Sequence, residues 1–197
     1  MARRENSARR AVDRRRRERT HLLVVCGGEK TEIDYFAGLK QLYRARATVK
    51  PKGGSPLKLV GYAARLRDQY REEFDEVWCV VDVDEFDIEA ASAEADKLGI
   101  ELAISDPCFE FWLLPHFRDP CGPAKARKEI AGHLTKCLNG YDKTRLNFAH
   151  FAPAVPVAIE RARRIDPASN PSTGVWRLVD KFMASADVGD TVRGQLP

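Results

Sequence analysis

The sequence predicts an α/β fold: a mostly parallel sheet flanked by helices, with a helical C-terminal portion. Three observations carry that expectation. Short, β-branched apolar runs alternate with segments whose apolar residues recur at helical spacing. Each early run closes in glycine or acidic punctuation, as a strand does when it hands over to a loop. Of the 197 residues, 44% are hydrophobic, enough for a domain with a real core.

His21-Leu22-Leu23-Val24-Val25-Cys26 reads as a strand buried on both faces, stopped by Gly27-Gly28. From Thr31 to Arg44, Ile33, Phe36, Leu39, Leu42 and Tyr43 recur at helical spacing, with Thr31 as the expected N-cap. A short extended piece at Ala47–Lys50 and a Pro- and Gly-rich loop at Pro51–Pro56 follow. Leu57–Tyr70 is a second helix, and Val77-Trp78-Cys79-Val80-Val81 the strongest strand, ended by Asp82. Asp87 is placed to cap an Ala- and Glu-rich helix that stops at Gly99. Ile100–Ile104 is a further strand, and Ser105-Asp106-Pro107 reads as a cap with Pro in the first turn of an apolar helix over Phe109–Phe117. Helices are expected at Pro123–Leu138, Val157–Ile165 and Gly174–Ser185, with Gly140-Tyr141-Asp142-Lys143 as a loop. The division is a basic arm (1–20), an α/β core (21–118) and a mainly helical region packed on it (119–197).

The charge is uneven. Residues 1–20 carry nine arginines against Glu5, Asp13 and Glu18, a net of +6, while the whole chain carries +4, so the body is −2. Such an arm has little to bury and is expected to be disordered, or helical only on a partner. Arg14, Arg15, Arg16 and Arg17 form its densest cluster. It reads equally as a clamp on nucleic-acid phosphates or as a solubilising tail. The five cysteines show no Cys-x-x-Cys pair and no zinc spacing, which points to a reducing cytoplasm. No apolar stretch approaches a membrane span, so no membrane partner is expected.

In such sheets ligands bind beyond the carboxyl ends of the strands, where the unusual residues lie. Strand geometry points Asp82 and Asp84 to one side, about 6–7 Å apart along the chain. Paired carboxylates repel unless a cation lies between them, and Mg²⁺ or Mn²⁺ suits them; the plainer reading is helix capping. Cys26-Gly27-Gly28-Glu29-Lys30-Thr31-Glu32 joins strand to helix, where backbone amides and Lys30 face a phosphate. It is not a nucleotide P-loop, because Val24 stands where that motif requires Gly. Glu29 is a candidate ligand or acid/base; Glu32 is a second candidate that equally suits the helix dipole. Glu110, set among large apolar residues, is a third, with dipole stabilisation as the alternative. Ser172 and Thr173, before a helix, suit a phosphate or ordinary capping, and Lys143 is a candidate phosphate contact. His116 and the aromatic residues around it read as core.

Taken together and in order, these segments resemble the RloB-like family. The matching pieces are Val24-Val25-Cys26 with Gly28-Glu29-Lys30-Thr31-Glu32 and Tyr35-Phe36; Val77-Trp78 through Asp82-Val83-Asp84; Ala103 through Leu114 with His116-Phe117; and Asn170-Pro171-Ser172-Thr173-Gly174-Val175. The resemblance implies a Toprim-like sheet, a role in bacterial defence against phage, a partner ATPase, and Mg²⁺ on the Asp-x-Asp. Metal-dependent hydrolysis of RNA or DNA is the reaction expected. Relatives commonly read Cys-Glu-Gly-Glu-Lys-Thr-Glu, and Gly27 stands where the first Glu would match the Toprim acid/base. Either Glu29 substitutes for it, or the fold serves to bind nucleic acid or the ATPase. Asp106 stands where relatives commonly have Asn.

Overall fold

The computed structural model describes residues 20–70, 73–83, 88–119, 127–138 and 141–185. The Arg14–Arg17 cluster, Asp84 and Asp87 lie outside these residues.

Five strands form one sheet in the order β2-β1-β3-β4-β5. They are β1 (Leu22–Cys26), β2 (Ala47–Pro51), β3 (Glu76–Asp82), β4 (Glu101–Asp106) and β5 (Ser172–Thr173). The first four run parallel, with Leu22 opposite both Ala47 and Glu76, and Asp82 opposite Ser105. β5 is a short antiparallel edge that pairs Ser172 with Asp106 and Thr173 with Ser105. The helices are α1 (Thr31–Leu42), α2 (Pro56–Gln69), α3 (Ile88–Leu98), α4 (Glu110–Leu113), α5 (Arg127–Cys137), α6 (Val155–Arg163) and α7 (Val175–Ala184).

The alternation along β1 and β3 sorts their side chains into two cores. Leu22, Val24, Cys26, Trp78 and Val80 face one side, where they pack with α1, α4, α6 and α7 through Tyr35, Phe36, Trp112, Ile159, Leu178 and Phe182. Leu23, Val25, Val77, Cys79 and Val81 face the other, against Leu59, Val60 and Ala63 of α2 and Ala95 of α3. A strand that is apolar at every position is therefore accounted for: both faces are covered, as parallel sheets require. The C-terminal helices α6 and α7 share the first core with β1. Gly99 ends α3 at φ +62, the left-handed geometry that favours glycine.

Three local expectations are corrected. Thr31 is not the N-cap of α1; Lys30 is, and the Thr31 hydroxyl instead donates to the carbonyl of Lys143 at 2.7 Å. Ser105-Asp106-Pro107 does not cap a helix. Ser105 and Asp106 stay in β4, the Asp106–Pro107 peptide is cis, and α4 starts only at Glu110. The Ser105 hydroxyl is engaged by Thr173 Oγ1 at 2.9 Å, so it is held in the sheet. The apolar helix expected over Phe109–Phe117 is one α-helical turn followed by a tighter 3₁₀ turn at Leu114–His116. Pro115 supplies the reason, because it has no N–H to continue the α-helical ladder.

Candidate active site at the carboxyl ends of the strands

β1, β3 and β4 deliver their carboxyl ends to one rim, because they run parallel in adjacent positions. From β1, Gly27 and Gly28 lead into α1. Gly27 N–H donates to the carbonyl of Val80 at 3.0 Å, stitching this turn to β3. Glu32, in the first turn of α1, is buried, and its carboxylate folds back over Gly28. A Cβ built on Gly28 would overlap that carboxylate, so a side chain there requires Glu32 to shift from this position. Gly28→Ala is therefore expected to destabilise the protein by about 1–2 kcal/mol through overpacking. In a Glu32→Ala background the same change should cost little, a comparison that denaturant unfolding of the four proteins can make.

From β3, Asp82 is half-buried, and its Oδ1 accepts the backbone N–H of Phe109 at 2.9 Å. That bond orients the carboxylate and ties the end of β3 to the segment leading into α4. Glu110, the next residue, is half-buried on the same segment. From β4, Asp106 is half-buried, and burial raises its carboxyl above the usual range.

A loop from the C-terminal half closes the rim. It is anchored by the Thr31–Lys143 bond and by Leu146 N–H donating to Asp34 Oδ2 at 3.3 Å. Tyr141, on this loop, brings a buried hydroxyl that has no hydrogen-bond partner among the described residues. Burial first, then the negative charge of Glu110, with smaller contributions from Cys108 and Glu32, pushes the Tyr141 phenol well above its usual pKa. Burial, reinforced by Glu32, likewise raises the Cys26 thiol well above its usual range. Glu32, Glu110 and Tyr141 thus belong to one electrostatic neighbourhood. Tyr141 also lines a groove of about 460 Å³ with Cys108, Glu110, Lys128 and Lys143.

Other residues singled out in the sequence fall elsewhere. Glu29 is exposed, and its Oε1 lies beside Gly53, in the loop after β2. That is the β2 side of β1, whereas Asp82 ends β3 on the other side. Lys30 and Lys143 are exposed at the rim. Ser172 and Thr173 are buried in β5; Thr173 Oγ1 bonds Ser105 and accepts the N–H of Val175 at 3.3 Å. Tyr141 and Lys128 were not identified from sequence. The only available signal was Gly140-Tyr141-Asp142-Lys143, whose spacing says loop and nothing about where the loop docks.

The donors at this rim are carboxylates, the chemistry that a hard divalent cation takes. Among the described residues, no three His, Cys, Asp or Glu side chains form a group that could hold a metal ion; Asp84 lies outside that set. Also among the described residues, no helix is long and apolar enough to cross a membrane.

A family model described as "RloB-like protein" matches residues 22–182. No curated protein and no solved structure matches the chain.

Proposed function

Because the chain belongs to the RloB-like family, we propose that it is a metal-dependent nuclease, an effector of bacterial anti-phage defence that works with a partner ATPase. The observation that supports this reading is that Asp82 ends β3 at the carboxyl rim, with Glu32 in the first turn after β1 and Glu110 in the segment after β4 that Asp82 holds through Phe109. Acids gathered at the open end of a buried sheet favour a cation, and Asp82 with Asp84 would hold Mg²⁺ or Mn²⁺. Such an ion, when bound, stabilises charge on a phosphate and lowers the pKa of bound water.

The chain's own residues do the rest. Phe109 N–H fixes the aim of Asp82, so its carboxylate is oriented before any substrate arrives. Glu32, buried over Gly28, is the acid/base best placed to move a proton at the attacking water; its position supports it over Glu29, which faces the β2 loop. Glu110 adds negative charge beside Tyr141. Lys30 and Lys143, and the arginine cluster of the arm, neutralise phosphates of the substrate. The test is cleavage of end-labelled RNA and DNA with Mn²⁺ and with EDTA. Metal-dependent products support the reading, and intact substrate under both conditions contradicts it.

Gly27 favours a second reading, a Toprim-like module that binds nucleic acid or the ATPase without catalysis. Packing does not demand glycine at this position. A Cβ built there meets the Val80 carbonyl at 3.4 Å and Leu59 Cδ2 at 3.5 Å, which is ordinary contact. A Cβ is therefore accommodated at Gly27, and thermal unfolding of Gly27→Glu checks that the longer side chain is too. Under the nuclease reading it raises metal-dependent cleavage about tenfold, less than the ~10²–10⁴ of a positioned acid/base because Glu32 already supplies part of that role. Activity that appears only in Gly27→Glu would instead favour the binding module.

A further inference from the structure

Paired cations flank the amino ends of β3 and β4, although Arg46, just before β2, is exposed and forms no ion pair among the described residues. At the amino ends of the strands, Arg177 pairs with Glu101, and Lys181 pairs with Glu76 at 2.7 Å. On the helices nearby, Arg163 pairs with Asp180 at 2.9 Å and Arg164 with Asp119 at 2.6 Å. At the carboxyl ends, Lys30, Lys50, Lys58, Lys128 and Lys143 are exposed, and Lys52 is half-buried. Among the described residues, none of these six forms an ion pair.

Their placement follows from the topology. Lys50 lies in β2, and Lys58 lies in the first turn of α2, with its side chain against Gly54. Lys52 is fixed by its backbone N–H to the Cys26 carbonyl at 2.8 Å, and its ammonium lies 5.6 Å from the centre of the Tyr62 ring. Lys30 caps α1 in the middle of the rim. Lys143 is held at its backbone by Thr31, and Lys128 lines the groove beside Glu110 and Tyr141 on the β4 side. The acidic rim thus has lysines on both flanks. From β2 to β4 is three strand spacings, ~14 Å at ~4.8 Å each. At ~3.4 Å per stacked nucleotide, that distance corresponds to about four nucleotides of one strand.

We infer that the carboxyl rim carries a nucleic-acid track, in which Lys50, Lys52 and Lys58 hold the backbone on one side of the acidic centre and Lys128 and Lys143 hold it on the other. The inference rests on the nuclease reading for its substrate class, and adds where the strand runs and which face of the protein it avoids. Unpaired ammonium groups are the ones that gain by replacing phosphate counterions; those already paired with carboxylates gain little.

The test is the salt dependence of binding, measured in EDTA so that no turnover intervenes. The probes are a labelled stem–loop RNA and the DNA of the same sequence, and the protein is the full chain. The triple variant Lys50→Gln/Lys52→Gln/Lys58→Gln should flatten the log–log salt slope by about two, while the control Arg177→Gln/Lys181→Gln leaves it unchanged. Thermal unfolding of each variant confirms folding. An unchanged slope in the triple variant, an equal loss in the control, or no binding by the parent overturns the track. The outcomes separate it from the nuclease reading. Track-dependent binding without metal-dependent cleavage leaves the track standing and removes the enzyme; cleavage with an unaltered triple variant does the reverse.

Discussion

Asp82→Asn is expected to lower metal-dependent cleavage by about 10²–10³, the loss that follows removal of one electrostatic group from a preorganised site. The substitution is chosen because it isolates charge from structure. Asp82 Oδ1 accepts the Phe109 N–H, and an asparagine amide oxygen can keep that acceptor role. The joint between β3 and the segment leading into α4 is therefore retained, and thermal stability should change little. A large loss of activity at unchanged melting temperature identifies Asp82 as a member of the reacting site. Activity equal to that of the parent removes Asp82 from it.

The second large effect is on stability at acid pH, and His116 produces it. This histidine is buried in the aromatic core, against Tyr35, Trp112 and Phe151. Its Nδ1 lies 3.2 Å from the Leu113 carbonyl, which can only accept, so Nδ1 carries the proton. Nε2 is then the acceptor for the Tyr35 hydroxyl at 3.0 Å. The neutral ring satisfies both bonds; a second proton on Nε2 would force the Tyr35 hydroxyl to turn from donor to acceptor and would place a positive charge in the aromatic core. Burial, with the positive charge of Arg161 as a smaller cause, lowers the His116 pKa to about 3.

The unfolded chain, with an ordinary histidine near 6.5, takes up the proton first as pH falls. The stability held by neutral His116 is complete above about pH 6.5 and is lost progressively toward pH 3. The expected loss is about 2 kcal/mol at pH 5 and about 4 kcal/mol near pH 3.5. His116→Gln keeps a donor and an acceptor but does not titrate. Denaturant unfolding from pH 7 to pH 3.5 should therefore show a shallower decline for the variant by about these amounts. Parallel pH profiles would show that His116 is not buried in its neutral form.

Much of this organisation was legible in the sequence because burial on two faces leaves an unbroken apolar strand. Leu22–Cys26 and Val77–Val81 could be read as central strands without knowledge of their neighbours. The rim was legible for the same reason, since polar residues that directly follow such strands must lie at the sheet's carboxyl edge. What stayed hidden depended on contacts distant in sequence. Thr31 has the residue type of a cap, yet its partner is Lys143, 112 residues away. Ser172 and Thr173 resemble a helix start but add an antiparallel edge to β4, a pairing too short to leave a periodic signal. Glu32 looked no better than Glu29 from spacing alone. Only the fold shows that Gly28 leaves room for the Glu32 carboxylate while Glu29 turns toward the β2 loop.

Direct titration of Mn²⁺ into the intact protein, followed by calorimetry or by the ion's electron-spin resonance, probes the foundation without requiring a substrate. The parent should take up an ion at a site that Asp82→Asn weakens by tenfold or more, while its fold is unchanged. Equal uptake by the two proteins, or none by the parent, would mean that the acids at the rim serve some purpose other than holding a cation.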